Sequence, residues 1–237
     1  MRTVRFGPAG RVRAAMAQGG TLGTMTPDNI GMYREMMSEI WRRTEFIRAF
    51  EAAPQLGIYN VTRIECICLQ IRLILENIAL ACLVANGEHL ESLPRKIEKA
   101  RHAEVILKRL DDVVPDCYPQ PLVLVSREPD DATAAHGVPP DQYLGEWVDR
   151  PSDEWLNRAE FKEVYGRLGN VLHARNPLGT PQNLSFYEQT VPVWTGKIIG
   201  LMTHHKIAIR SEDRLYIAQI RPSGEISITP FERLGDV

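Results

Sequence analysis

A long apolar helix over residues 61–85 constrains the fold more than any other part of this sequence. Between Val61 and Ala85 the apolar residues recur at helical spacing, and Asn86-Gly87 provides a C-terminal stop. The resulting stripe is broad and comprises Ile64, Ile67, Cys68, Ile71, Leu75, Ile78 and Cys82. Because so wide an apolar surface needs other helices around it, the sequence predicts this segment as the central helix of a bundle.

The same helix is not expected to lie in a membrane. No apolar run in the chain reaches the length of about 20 residues that spans a bilayer. Glu65, Arg72 and Glu76 also interrupt the apolar surface of the helix. We therefore expect a cytoplasmic protein with no membrane contact.

Three further helices are predicted around it. Thr26-Pro27-Asp28 is a helix-start signature, and the helix that it opens is expected to run to about Ala53. Another is expected from about Leu93 to Val113, and a fourth lies within the segment Phe161–Pro177, where Asn176-Pro177 ends it. These helices predict a four-helix bundle.

The last part of the chain has a different pattern. After Pro181 the apolar spacing changes from about 3.6 residues to about 2, which is typical of strands. The strand-like runs are Lys197–Met202, His205–Arg210, Leu215–Arg221 and Glu225–Phe231. The predicted fold class is therefore α+β, a four-helix bundle followed by a small C-terminal antiparallel β-meander.

Composition divides the chain into three predicted parts. Residues 1–26 contain arginines but no acidic residue, which favours a flexible basic arm. Residues 27–180 form the helical bundle, with a proline-rich excursion at 114–151. Residues 181–237 form the β-meander.

One basic stripe stands out against a nearly neutral chain. The formal net charge of −2 excludes a basic surface over the whole protein, so contact with RNA requires a local patch. Such a patch is predicted on the third helix and consists of Arg95, Lys96, Lys99, Arg101, Lys108 and Arg109. These side chains are expected either to contact phosphate groups of RNA or to form an ordinary solvated helix face.

The four cysteines show neither disulfide nor metal-site spacing, and the chain has no HExxH, CxxC, GxSxG or phosphate-binding glycine loop. Cys66 and Cys68 lie about 200° apart on a helix and cannot share one metal ion. His204 and His205 point to opposite faces of a strand. We expect reduced core cysteines, no metal and no cofactor.

The segment Phe161–Pro177 combines a core stripe with a polar face. On an ideal helix, Arg167, Asn170 and His173 fall on the side away from the apolar stripe, which comprises Phe161, Val164, Tyr165, Leu168 and Leu172. Gly166 and Gly169 lie at the edge of the polar face, next to His173. Because glycine has no side chain, we expect these two positions, about a turn apart, to allow close approach of another backbone.

Arg167 followed by His173 on a bundle helix resembles the marker of the HEPN superfamily, an arginine and a histidine separated by four to six residues. The resemblance implies a metal-independent RNase of the toxin or phage-defence kind that acts as a homodimer. His173 would then serve as general acid or base, Arg167 would stabilise the transition-state charge, and Asn170 lies between them.

Other interpretations of the same residues stay open. An offset of six residues places Arg167 about 120° from His173, so a dimer mate, a helix distortion or the long arginine side chain would have to close the gap. The alternatives are a non-catalytic dimeric module that binds a protein partner, a subunit of a larger complex, and a purely structural His173 that bonds a neighbouring helix.

Overall fold

Helices and strands follow one another in groups of two or three in a computed structural model that describes residues 3–6, 10–14, 25–52, 59–87, 102–125, 146–172, 183–207, 209 and 214–233. The helices in these residues are α1 (Pro27–Ala52), α2 (Asn60–Ala85), α3 (Ala103–Asp111), α4 (Arg158–Leu172) and α5 (Leu184–Met202). The strands are β1 (Thr3–Phe6), β2 (Gly10–Ala14), β3 (Gln120–Val125), β4 (Glu146–Asp149), β5 (His204–Ile207), β6 (Arg214–Ile220) and β7 (Ile226–Arg233). The predicted α+β class is confirmed.

Helix α2 occupies the centre of the helical layer, as its apolar pattern predicts. It contacts α1, α3, α4 and α5. The side chains that it buries lie within an arc of about 160° around the helix and include Ile64, Ile67, Ile71, Leu75 and Ile78. The main hydrophobic core therefore lies along this broad face of α2.

Helix α2 is also the one helix in the described ranges that is long and apolar enough to cross a membrane. About half of its most apolar stretch (50%) is buried inside the protein. Length and composition do not by themselves separate a membrane span from a core helix.

The strands form one closed barrel in the order β1-β2-β7-β6-β5-β3-β4. Neighbouring strands pair antiparallel, except that β1 pairs parallel with β4 through Phe6 and Trp147, which closes the ring. Successive side chains of β6 point to opposite faces of the sheet, and each face packs against a different hydrophobic core. Ile217 belongs to a small cluster with Leu122 and Phe231, whereas Tyr216 and Ala218 join the core around α2.

Helix α5 corrects the prediction that strand periodicity begins directly after Pro181. Residues 184–202 are helical, so Lys197–Met202 is the end of a helix and not a strand. The apolar spacing is in fact helical, because Tyr187, Val191, Trp194, Ile198 and Leu201 are all buried on one face. The later strand predictions for residues 215–221 and 225–231 correspond to β6 and β7.

Two other sequence predictions also differ from the structure. Residues 3–6 and 10–14, expected to belong to a flexible arm, form β1 and β2, because β7 offers β2 a pairing edge. The third helix, expected from about Leu93 to Val113, is described only as α3, which begins at Ala103. His102 before it has φ −92° and ψ 111°, an extended conformation that no helix can pass through.

Candidate functional site

Helix α4 carries the predicted site, and a capping box at Asn157 determines where it begins. The Asn157 Oδ1 accepts hydrogen bonds from the backbone amides of Ala159 and Glu160, both at 3.0 Å. Glu160 Oε2 accepts one in return from the Asn157 amide at 3.3 Å. The helix then buries Phe161, Val164, Tyr165, Leu168 and Val171, so four of the five predicted core positions are buried, whereas the fifth, Leu172, is half-buried.

Arg167 is exposed, and its guanidinium is held on the side of α4 that faces α5. Nη2 lies 2.8 Å from Glu163 Oε1, and the guanidinium carbon lies 5.0 Å from the centre of the Phe186 ring. The Tyr187 hydroxyl donates to the Arg167 carbonyl at 3.1 Å. Glu163, Phe186 and Tyr187 thus position Arg167, and only the Glu163–Arg167 pair, four residues apart, is recognisable from sequence.

Of the other two predicted site residues, Asn170 and His173, the structure describes Asn170. Asn170 is exposed on the same outer face of α4 as Arg167. His173 lies outside the described residues. The pairing of Arg167 with His173 therefore stays a prediction.

A second polar cluster lies on the opposite side of α4, against α2. Arg72 Nη2 donates to the Tyr165 hydroxyl at 3.0 Å, and that hydroxyl donates to Glu76 Oε1 at 3.0 Å. Arg72 Nε also lies 3.3 Å from Glu76 Oε1, so these two residues, four apart on α2, form an ion pair. Burial, followed by the Glu76 carboxylate, raises the pKa of the Tyr165 hydroxyl, so this cluster holds its proton.

The cluster also explains Gly169, which sequence reasoning assigned to backbone contact. A Cβ atom at Gly169 would lie 3.3 Å from Arg72 Nη1, so the neighbour is a guanidinium and not a backbone. A Cβ atom at Gly166 would have no neighbour within 4 Å. Of these two glycines, only Gly166 therefore lies at an open position on the outer face of α4.

The cluster makes a stability prediction. Tyr165→Phe removes two hydrogen bonds to charged partners, while Arg72 and Glu76 keep their direct contact, so we expect a loss of about 1–2 kcal/mol in the free energy of unfolding. Urea denaturation would measure it, with Tyr59→Phe as the control, because Tyr59 is 64% exposed. Equal stability of the two variants would contradict the structural role of the cluster.

Of the six residues in the predicted basic stripe, the structure describes Lys108 and Arg109. Arg95, Lys96, Lys99 and Arg101 lie outside the described residues, whereas Lys108 is exposed near the end of α3. Arg109 is half-buried, and its Nη1 is buried without a hydrogen-bond partner in the described part of the chain. A continuous basic face stays a prediction.

The cysteines and potential metal ligands form no reactive site among the residues that the structure covers. No group of three His, Cys, Asp or Glu side chains there could hold a metal ion. Cys68, Cys82 and Cys117 are buried as free thiols, and burial raises the pKa of Cys68 and of Cys82 to about 12. These thiols stay protonated at neutral pH and act as small apolar side chains.

Comparison of the chain with protein family models, with curated proteins and with solved structures gives no match. The assignment of a function therefore depends on the residues and geometry described above.

Proposed function

We propose that the chain is a HEPN-like bacterial cytoplasmic protein that cleaves RNA without a metal ion, as a homodimer, in a toxin or phage-defence role. The supporting observation is the outer face of α4, where Arg167 and Asn170 are both exposed to solvent. A cation and an amide on one helix face are suited to the phosphate oxygens of RNA. His173 follows on the same chain segment.

The ion pair with Glu163 leaves Arg167 available to RNA. The side chains of Arg167 and Glu163 are 46% and 62% exposed. An exposed pair of this kind contributes about 1 kcal/mol or less, so a phosphodiester can replace the carboxylate. The Phe186 ring lies beneath the guanidinium and would keep it in place during the exchange.

The proposed reaction is transesterification by the ribose 2′-hydroxyl. The 2′-oxygen loses its proton to the imidazole of His173 and bonds to phosphorus, and the bond to the 5′-oxygen breaks. A protonated imidazole supplies the proton to that leaving oxygen, so the products are a 2′,3′-cyclic phosphate and a free 5′-hydroxyl. Arg167 would stabilise the charge that builds up on the phosphoryl oxygens.

A second copy of the chain is proposed to complete the site. Arg167 is directed toward α5, on the opposite side of α4 from Gly169 and Arg72. The sequence offset of six residues separates Arg167 and His173 around an ideal helix, so a partner's residues would close the gap. The open surface at Gly166 allows a second backbone to approach closely.

The proposal predicts RNA cleavage in the presence of EDTA that is lost on mutation. Arg167→Ala and His173→Ala are each expected to lower the cleavage rate about a hundredfold, the size of an acid–base or charge-stabilising contribution. The assay is a single-turnover cleavage of labelled RNA, with mapping of the 2′,3′-cyclic ends.

Arg42→Ala is the matched control for this experiment. Arg42 is an exposed arginine on α1 that pairs with Glu39 at 2.9 Å, just as Arg167 pairs with Glu163 on α4. The control is expected to cleave RNA at the wild-type rate. Full cleavage by both site variants, or cleavage that EDTA abolishes, would refute the proposed mechanism.

The alternative is a non-catalytic dimeric module that binds a protein partner, and one observation favours it. Arg167 already has a structural role, because its guanidinium lies over Phe186 and its carbonyl accepts from Tyr187, both on α5. This alternative predicts that Arg167→Ala and His173→Ala both remain dimeric in sedimentation experiments while the wild type cuts no RNA.

A further inference from the structure

A cavity of about 200 Å³ lies at one end of the helical layer. Its walls come from the C-terminal end of α1, the first turns of α2 and the first half of α5. Its apolar wall consists of Ile64, Ile67 and Val191. At about 30 Å³ for each water in the liquid, the volume corresponds to roughly six non-hydrogen atoms. The cavity is on the α5 side of the molecule and does not include Arg167 or Asn170.

Of the charged groups at this cavity, Arg63 is already neutralised by its neighbours. Its Nε and Nη2 donate to Asn60 Oδ1 at 3.2 and 2.9 Å, and Nη2 lies 3.5 Å from Glu188 Oε1. Asn60 also donates to Glu188 Oε1 at 2.7 Å. Arg63 and Glu188 therefore compensate each other, and the cavity offers no free cation among its described residues.

Glu51 has a carboxylate oxygen without a direct partner. Its Oε1 is buried and has no hydrogen-bond partner in the described part of the chain. Burial raises the pKa of the Glu51 carboxyl, although Arg48 and Arg63 act in the opposite direction. A buried carboxylate oxygen without a donor is costly, and it indicates a group that a cation would stabilise.

Pro192 supplies a second acceptor at the same place. Proline has no N–H, so the Glu188 carbonyl, one turn earlier in α5, lacks its usual intrahelical donor. Both Glu188 and Pro192 line the cavity, so the carbonyl without its intrahelical donor belongs to a residue of the cavity wall. Tyr187 lines the cavity as well, and aromatic rings attract cations.

We propose that this cavity is a binding site for a small organic cation, a primary ammonium group carried on a short alkyl chain. The ammonium group would donate to Glu51 Oε1 and to the Glu188 carbonyl, and the alkyl chain would pack against the apolar wall. An ammonium ion has three donors and no acceptor, which matches a site whose unsatisfied groups are all acceptors. The proposal does not rest on the proposed RNase activity, although Tyr187, which lines the cavity, also donates to the Arg167 carbonyl.

The test uses n-butylammonium chloride as the probe, with n-butanol as a neutral molecule of similar shape and butyrate as an anion. Each is titrated into the full-length protein up to millimolar concentrations and followed by NMR chemical shifts. We expect saturable binding of n-butylammonium at least about tenfold tighter than that of n-butanol, and no binding of butyrate. Equal affinity for n-butylammonium and n-butanol, or no saturable binding, would overturn the proposal.

Two variants locate the site. Glu51→Gln is expected to weaken n-butylammonium binding about tenfold or more, whereas Glu45→Gln, an exposed glutamate of α1 paired with Arg48, is expected to leave it unchanged. Pro192→Ala gives the Glu188 carbonyl its intrahelical donor and is expected to weaken binding without removing a charge. Unchanged affinity in both Glu51→Gln and Pro192→Ala would also overturn the proposal.

Discussion

Replacing Gly200 by alanine is expected to lower the free energy of unfolding by about 3 kcal/mol, whereas Gly196→Ala, one turn earlier in α5, is expected to raise it. A Cβ atom at Gly200 would lie 2.2 Å from the Glu154 carbonyl oxygen and 3.3 Å from its carbonyl carbon. Both are backbone atoms, so rotation of a side chain cannot relieve the overlap. The segment before α4 would have to move away from α5.

The expected cost has two physical sources. Overpacking of a close contact costs about 1–3 kcal/mol. Movement of the segment also strains the hydrogen bond from the Leu156 amide to the Lys197 carbonyl, 3.1 Å long, which is worth about 1 kcal/mol. The close packing of α5 against the segment before α4 therefore requires a residue without a side chain at position 200.

Gly196 is the matched control for this prediction. It is exposed, and a Cβ atom there would have no neighbour within 4 Å. Alanine is favoured over glycine in a helix interior by up to about 1 kcal/mol. Thermal denaturation should therefore place the Tm of Gly200→Ala roughly 6–12 °C below the wild type and that of Gly196→Ala slightly above it. Equal Tm values for the two variants would contradict the close contact at Gly200.

The parts of the fold that the sequence predicts well are those determined by local pattern. Helix α1 begins where Thr26-Pro27-Asp28 indicates, and Thr26 Oγ1 accepts a hydrogen bond from the Asn29 amide at 3.1 Å. Helix α2 follows its apolar stripe because that surface must be covered on several sides. The apolar run at 122–125, whose valines favour a strand, likewise lies within β3.

Helix α5 was predicted wrongly because local propensity and tertiary packing disagree there. Thr190, Val193, Ile198 and Ile199 are β-branched and favour strands, and Pro192 disfavours a helix interior. The helix forms because one face packs against α1, α2 and the barrel strands β3, β5 and β6. The burial of that face outweighs the local preferences.

The barrel and the surroundings of the site depend on contacts between distant segments, which no local pattern encodes. Strand β2 pairs with β7 from the opposite end of the chain, and β1 meets β4 at Trp147. The exposure of Arg167 and Asn170 follows from helical periodicity, as predicted. By contrast, Phe186 beneath Arg167 is determined by how α5 packs on α4.

Acidification from pH 6.5 to about pH 4 is expected to lower the free energy of unfolding of the wild type by about 3 kcal/mol more than that of His205→Gln. His205 lies on β5 with 0% exposure, packed between α1 and the end of α5. Its Nε2 lies 2.7 Å from the Tyr33 hydroxyl and its Nδ1 lies 3.2 Å from the Met202 carbonyl oxygen. The neutral ring can therefore donate from Nδ1 to Met202 and accept at Nε2 from Tyr33.

The direction of the effect follows from the two states of the ring. Burial, together with the nearby His204, lowers the pKa of His205 from 6.5 to about 4, while the hydrogen bond to Met202 acts in the opposite direction. As pH falls below 6.5, the unfolded chain takes up the proton first, so the stability present above that pH is lost progressively until about pH 4. Below that value the folded state is protonated too, and this contribution no longer changes.

Urea denaturation at several pH values between 4 and 7 would measure the effect as a difference in slope between the wild type and His205→Gln. Glutamine keeps a polar side chain opposite Tyr33 but does not titrate. His102→Gln, which removes an exposed histidine, is the control for the loss of a histidine at the surface. An NMR titration of the His205 ring in the wild type provides a second measurement, with an expected pKa of about 4. A ring that titrates near 6.5, or parallel slopes for the wild type and His205→Gln, would show that the folded protein tolerates a charge at this buried position.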